Sequence, residues 1–135
     1  MLVSTRLEKT AAWLKSDGNA DVSFGETYVY DDGIIKGFLT IGLCRDADKE
    51  GTFELGGLYV DPCFKGQGIG TALALHTEKI AAERGYKEIC LWTFEKNAPT
   101  RAFYEKLGYT LDGATMIVEP FDAIGVRYSK KLSEV

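Results

Sequence analysis

The stretch Leu58-Tyr59-Val60-Asp61-Pro62-Cys63-Phe64-Lys65-Gly66-Gln67-Gly68-Ile69-Gly70-Thr71 joins an apolar run to a proline turn, alternate glycines and the first residues of a helical pattern. It reads as strand, loop and helix start. Glycines at 66, 68 and 70 leave the backbone with little side-chain cover, so several N–H groups can point at one anion while the helix adds the positive end of its dipole. Such a loop suits a phosphate or pyrophosphate. A tight strand-to-helix connection without a ligand is the plainer use of the same residues.

Two familiar nucleotide loops do not fit. A P-loop requires Gly-Lys-Ser/Thr after four spacer residues, and a dinucleotide fingerprint requires Gly-x-Gly-x-x-Gly. Here the third glycine of the fingerprint falls on Thr71, and no lysine precedes Thr71.

A second pattern lies downstream at Asn97-Ala98-Pro99-Thr100-Arg101-Ala102-Phe103-Tyr104-Glu105-Lys106-Leu107-Gly108-Tyr109. The two stretches together resemble the GNAT acetyltransferases. Lys65 to Gly70, preceded by Leu58-x-Val60-x-Pro62, is similar to that family's Arg/Gln-x-x-Gly-x-Gly/Ala loop, and the second pattern to its Asn-x-x-Ala-x-x-Phe-Tyr-x-x-x-Gly-Phe/Tyr motif. Lys65 departs from the usual first residue, keeping the charge but losing the guanidinium fork, and Thr100 replaces the common alanine. The resemblance covers residues 54–109 well and the flanks loosely.

With 135 residues the chain is expected to form one core, so residues 1–135 are expected to be a single GNAT-like domain. A hydrophobic content of 45% and a charged content of 27% are ordinary for a globular protein, and no apolar run approaches the roughly 20 residues of a membrane helix. Met1 to Arg6 leads into polar residues rather than a signal peptide, which predicts a cytoplasmic protein with no membrane partner. Cys44, Cys63 and Cys90 are odd in number, scattered and without metal-ligand spacing, so they are expected to be reduced packing thiols, with no metal. A net charge of −4 speaks against nucleic acid as a partner.

Along the chain, residues 4–16 predict a short amphipathic helix that stops near Asp17-Gly18-Asn19. Residues 22–45 predict a hairpin turned at Asp31-Asp32-Gly33, and Asp46 to Gly51 a solvated loop of mixed charge. Thr52 to Val60 predicts a strand in which Gly56-Gly57 marks a bulge. A helix beginning at Ile69 is stopped by Gly85 and holds His76 as a packed residue; a buried strand over Glu88 to Thr93 follows. Thr100 to Leu107 predicts a second helix stopped by Gly108, and residues 109–131 two further strands.

The order β-β-β-α-β-α-β-β predicts an α/β (α+β) domain: a mixed central sheet of about six strands with flanking helices. The resemblance implies that the two central parallel strands splay apart and that acetyl-CoA enters between them. It also implies a shortened N-terminal region, since the family begins with a strand and two helices. The acceptor groove is then either open or closed by a partner subunit of a homodimer.

Acetyl transfer from a thioester to an amine requires a neutral nucleophile, charge stabilisation for the tetrahedral oxyanion and a proton for the leaving thiolate. By resemblance, the oxyanion donor is the backbone N–H of Val60, and Tyr104 is the general acid at the CoA sulfur, with its neighbour Phe103 facing the core. Glu54, four residues ahead of Leu58, has the spacing of the strand-borne base of histone-modifying members; a purely structural glutamate is the other use. The implied cofactor contacts are Leu58, Tyr59 and Val60 on the strand, then Lys65, Gly66, Gln67, Gly68, Ile69, Gly70 and Thr71 in the loop. Asn97 and Tyr104 complete them, although an asparagine before Ala-Pro-Thr also reads as a helix cap. Lys96, Arg101 and Lys106 are weaker phosphate candidates than Lys65.

The function implied is an acetyl-CoA-dependent N-acetyltransferase in which a primary amine, expected on a small molecule, attacks directly in a ternary complex. A protein lysine or N-terminus is the alternative acceptor, and a non-catalytic acyl-CoA-binding module the alternative class. A nucleotide-binding α/β domain is disfavoured, because three antiparallel-type strands precede the glycine loop.

Overall fold

A computed structural model of the chain describes residues 3–6 and 25–132. Strand β1 (Val3–Arg6) pairs antiparallel with β2 (Gly25–Asp31), and β2 with β3 (Ile35–Leu43). The expected hairpin turn is held by the Gly33 N–H donating to Asp31 Oδ1 (2.9 Å) and by a Lys36–Asp32 ion pair (2.8 Å). Strand β4 (Phe53–Val60) runs antiparallel to β3 and leads to helix α1 (Ile69–Glu83). Then come β5 (Glu88–Phe94), helix α2 (Ala98–Lys106), β6 (Thr110–Val118) and β7 (Ala123–Lys131). The sheet order is β1-β2-β3-β4-β5-β7-β6, seven strands rather than about six.

The extra strand corrects the N-terminal expectation. Val3 to Arg6 is extended, where a helix from residue 4 was expected, because the edge of β2 offers these residues backbone partners and pairing outweighs a weak helical pattern. The rest of that expected helix, with its stop at residues 17–19, lies outside the described residues. No described helix is long and apolar enough to cross a membrane.

Both helices cover one face of the sheet. Ile69, Leu73, Ala74, Thr77, Ile80 and Ala81 recur at helical spacing and are buried against Leu39, Ile41, Phe53, Leu55, Ile89 and Leu91. Gly85 (φ 83°) and Gly108 (φ 98°) end the two helices in the left-handed region, as expected. His76 packs edge-on against Tyr28, with ring centroids 5.1 Å apart, and burial lowers its pKa.

The opposite face carries charge. Arg127 on β7 is only 4% exposed and donates to Asp112 (2.7 Å), Asp46 (3.0 Å) and Asp48 (2.6 Å). Trp92 Nε1 also donates to Asp46 (2.8 Å), and Lys49 pairs with Glu88 (2.9 Å). Asp46 to Gly51, expected as a solvated loop, is therefore a short helical turn (Ala47–Lys49) pinned to β5 and β7, by partners about 40 to 80 residues distant in sequence.

The parallel pair is brief, and this positions the site. β4 and β5 pair only at Phe53–Ile89, Glu54–Cys90 and Leu55–Leu91. Beyond Leu55, β4 stays with β3 up to Val60–Gly37, whereas β5 stays with β7 up to Phe94–Gly125. Gly56 is the extra residue of a bulge, since Thr40 pairs with Gly57 and the next residue, Ile41, with Leu55. A bulge increases local twist and swings the end of β4 away from β5.

Candidate functional site

A strand that loses one neighbour has N–H groups left over. The Asp61 N–H donates to Lys36 O on β3 (2.8 Å), and N–H direction alternates along a strand, so those of Leu58 and Val60 point to the other edge, into the gap left by β5. Unpaired N–H groups in a partly buried gap are costly unless a ligand or water meets them.

The gap opens on the helix-covered face into a cleft of about 440 Å³. Leu58 and Val60 form its floor, Tyr104, Phe103, Pro99 and Thr100 of α2 one wall, and Phe64 with the glycine loop the other. Gly66 and Gly68 have φ of 82° and 81°, and Gly68 caps α1 without any side-chain bond. The first bond into the helix comes from the Ala72 N–H to Gly68 O (3.0 Å), so the N–H groups of Ile69, Gly70 and Thr71 stand open at the positive end of the helix dipole. Gly70 packs at the cleft wall: a Cβ there would sit in ordinary contact, 3.4 Å from the Phe103 ring and 3.7 Å from Val60 Cγ2, so an alanine would also fit. The Lys65 side chain is exposed and forms no ion pair with the described residues.

Tyr104 is 6% exposed, edge-on to Phe103 (5.0 Å) and Tyr109 (5.7 Å). Burial alone pushes its phenol up to about 12, so the group stays protonated through neutral pH.

Most of the sequence-derived contacts converge on this cleft: Leu58, Val60, Lys65, Gly66 and Gly68, then Ile69, Gly70, Thr71 and Tyr104. Gln67 is not on its wall. The Tyr59 ring lies on the other face, tilted against Phe38 at 5.5 Å, because adjacent strand residues point to opposite faces. Asn97 caps α2, its Oδ1 accepting from the Thr100 N–H (3.3 Å). Phe103, expected in the core, lines the cleft; with Phe64, Pro99 and Thr100 it was missed as a site residue, though its place beside Tyr104 in the second motif was a usable signal. Arg101 is not a free cation, since it donates to Tyr128 Oη (2.8 Å) and Glu95 O (2.9 Å).

Glu54 points to the face opposite the cleft. It is 5% exposed, accepts from the Arg45 N–H (3.3 Å) and faces the Arg45 guanidinium at 3.5 Å. Cys44 and Cys90, far apart in sequence, meet there with sulfurs 3.0 Å apart, and together with Glu54 they offer three potential metal-donor atoms within 4.8 Å of one another. Burial raises both thiol pKa values, which leaves them protonated and poorly nucleophilic. Cys63, expected to pack, is exposed.

A sequence model described as Acetyltransferase (GNAT) family matches residues 4–109. Protein YxbD of Bacillus subtilis (strain 168) is 35% identical over 94 residues, 70% of this chain and 55% of YxbD. An uncharacterized N-acetyltransferase of Methanocaldococcus jannaschii is 37% identical over 62 residues, 46% of this chain and 27% of that protein. The chain thus spans about half or less of the length of these curated relatives. Among solved structures, an IAA acetyltransferase from Bacillus cereus shares the fold with a TM-score of 0.74 at 21% identity, over 95% of this chain and 97% of its own.

Proposed function

The chain belongs to the acetyltransferase (GNAT) family, and on that basis we propose that it transfers the acetyl group of acetyl-CoA to a primary amine on a small molecule, by direct attack in a ternary complex. The observation that carries this reading is the gap between β4 and β5, where unpaired N–H groups run into a glycine-lined cleft at a helix N-terminus. Acetyl-CoA supplies an activated acyl group on a good thiolate leaving group.

The residues present fit that cosubstrate. The loop amides from Gly66 to Thr71, with Lys65 beside them, hold the pyrophosphate. The Leu58 backbone and the Val60 carbonyl bind the pantetheine amides in place of the missing strand ladder, and the Val60 N–H stabilises the oxyanion. Glu54 takes the proton from the attacking amine through water, and Tyr104 gives one to the sulfur. The C–N bond forms first, with the carbonyl electron pair moving onto oxygen; the carbonyl then re-forms as the C–S bond breaks, one amine proton is lost and the departing sulfur gains one.

Isothermal titration against acetyl-CoA, CoA, NAD and ATP tests the cofactor. Micromolar binding of the CoA pair alone is expected; tighter binding of NAD or ATP would overturn the reading. Gly68→Asp, which places a carboxylate at the mouth of the phosphate loop, is expected to weaken acetyl-CoA binding about ten- to a hundredfold. Equal affinity in the two proteins would remove the loop from the cofactor site.

A further inference from the structure

Because β4 and β5 part beyond Leu55, the gap between them also faces the side away from the helices, a second opening with rings on the strand at either hand. On the face away from the helices, strand alternation puts Tyr59 near the end of β4 and Phe94 at the end of β5, one on each side of the splay. Each has an aromatic companion: Phe38 lies 5.5 Å from Tyr59, and Phe121, in the turn between β6 and β7, lies 6.3 Å from Phe94 at an interplanar angle of 85°. These rings are open to solvent, Tyr59 at 50%, Phe94 at 40% and Phe121 at 70%. Exposed large rings in pairs on the two strands that flank the gap, rather than scattered singly, mark a recognition surface. Glu119 and Asp122 flank Phe121, are exposed and form no ion pair with the described residues.

We infer that the acceptor is an arylalkylamine, a primary amine on a short spacer from an aromatic ring, which enters by this second opening with its ring between Tyr59 and the Phe94–Phe121 pair. The inference rests on the transferase reading, since it gives that reaction its second substrate. With the helix-side cleft taken by the acyl donor, the opposite side of the sheet is the approach left to the amine in this reading. The rings offer a flat apolar seat and a favourable surface for an ammonium group, and the two carboxylates raise the local concentration of cations. A highly polar polyamine would leave the rings uncovered.

The test compares initial rates at saturating acetyl-CoA for phenethylamine, tyramine and tryptamine against spermidine, lysine and an aminoglycoside, together with the variant Phe121→Ala. The arylalkylamines are expected to have kcat/KM at least about tenfold above the polar amines. Phe121→Ala, a truncation in an exposed turn, is expected to raise their KM about five- to twentyfold with little change in kcat and none in the Kd for acetyl-CoA. Acetyl-CoA binding without preference for arylalkylamines, or an unchanged KM in Phe121→Ala, overturns the acceptor inference alone. Failure to bind acetyl-CoA overturns the transferase reading and the inference with it.

Discussion

Tyr104→Phe is expected to lower kcat about ten- to a thousandfold while leaving the Kd for acetyl-CoA nearly unchanged. The substitution removes one oxygen and keeps the ring, so the packing against Phe103 and Tyr109 and the wall of the cleft survive. What is lost is the proton. The departing sulfur takes up a proton from a donor that must still be protonated at neutral pH, and burial, which pushes the phenol up to about 12, keeps it so. Among the described residues no hydrogen bond holds the hydroxyl, and desolvation is the cause of its shift. Steady-state rates with thiol release as readout, paired with titration calorimetry, separate chemistry from binding. An unchanged kcat would take Tyr104 out of the mechanism and leave it a packing residue.

Arg127→Ala is expected to destabilise the fold by about 3 kcal/mol, the lower end of what breaking a buried ion cluster costs, because its carboxylate partners keep part of their hydration. Arg127 is 4% exposed, yet Asp48 is 66%, Asp46 24% and Asp112 16% exposed. Removing the guanidinium leaves three carboxylates facing one another and frees the turn over Ala47–Lys49 from β7. Thermal denaturation at pH 7 is expected to show a melting temperature about 10 °C lower. The effect has a pH signature. Hydrogen bonding to Arg127 is the main reason that the Asp48 carboxyl falls from 3.8 to about 2. A depressed folded-state pKa stabilises the fold above the unfolded value and loses that contribution as pH falls through the folded one. The difference between wild type and variant should therefore shrink between about pH 4 and pH 2. A constant difference across that range would mean that the cluster acts by packing alone.

Features readable in the sequence were those set within a few residues of one another. The bare glycine loop at Gly66 to Gly70, the helix stops at Gly85 and Gly108 and the Asn97 cap each depend on backbone sterics or on a bond spanning three or four residues. The bulge at Gly56 was legible because paired glycines weaken a strand interior. These signals sufficed for the strand–loop–helix core and, with the second motif, for the family.

Where side chains meet across the sheet was decided by register, which depends on partners far away in sequence. Alternation sent Tyr59 to the face opposite Leu58 and Val60; helix phase put Phe103 in the cleft beside Tyr104; and strand pairing joined Cys44, Glu54 and Cys90. Arg101 looked like a free cation until the fold gave it Tyr128, and the acidic residues at 46 and 48 looked solvated until β7 brought them Arg127. A local pattern states what a residue is able to do. Tertiary pairing decides which face it occupies, which partner satisfies it and whether it remains free to meet a substrate.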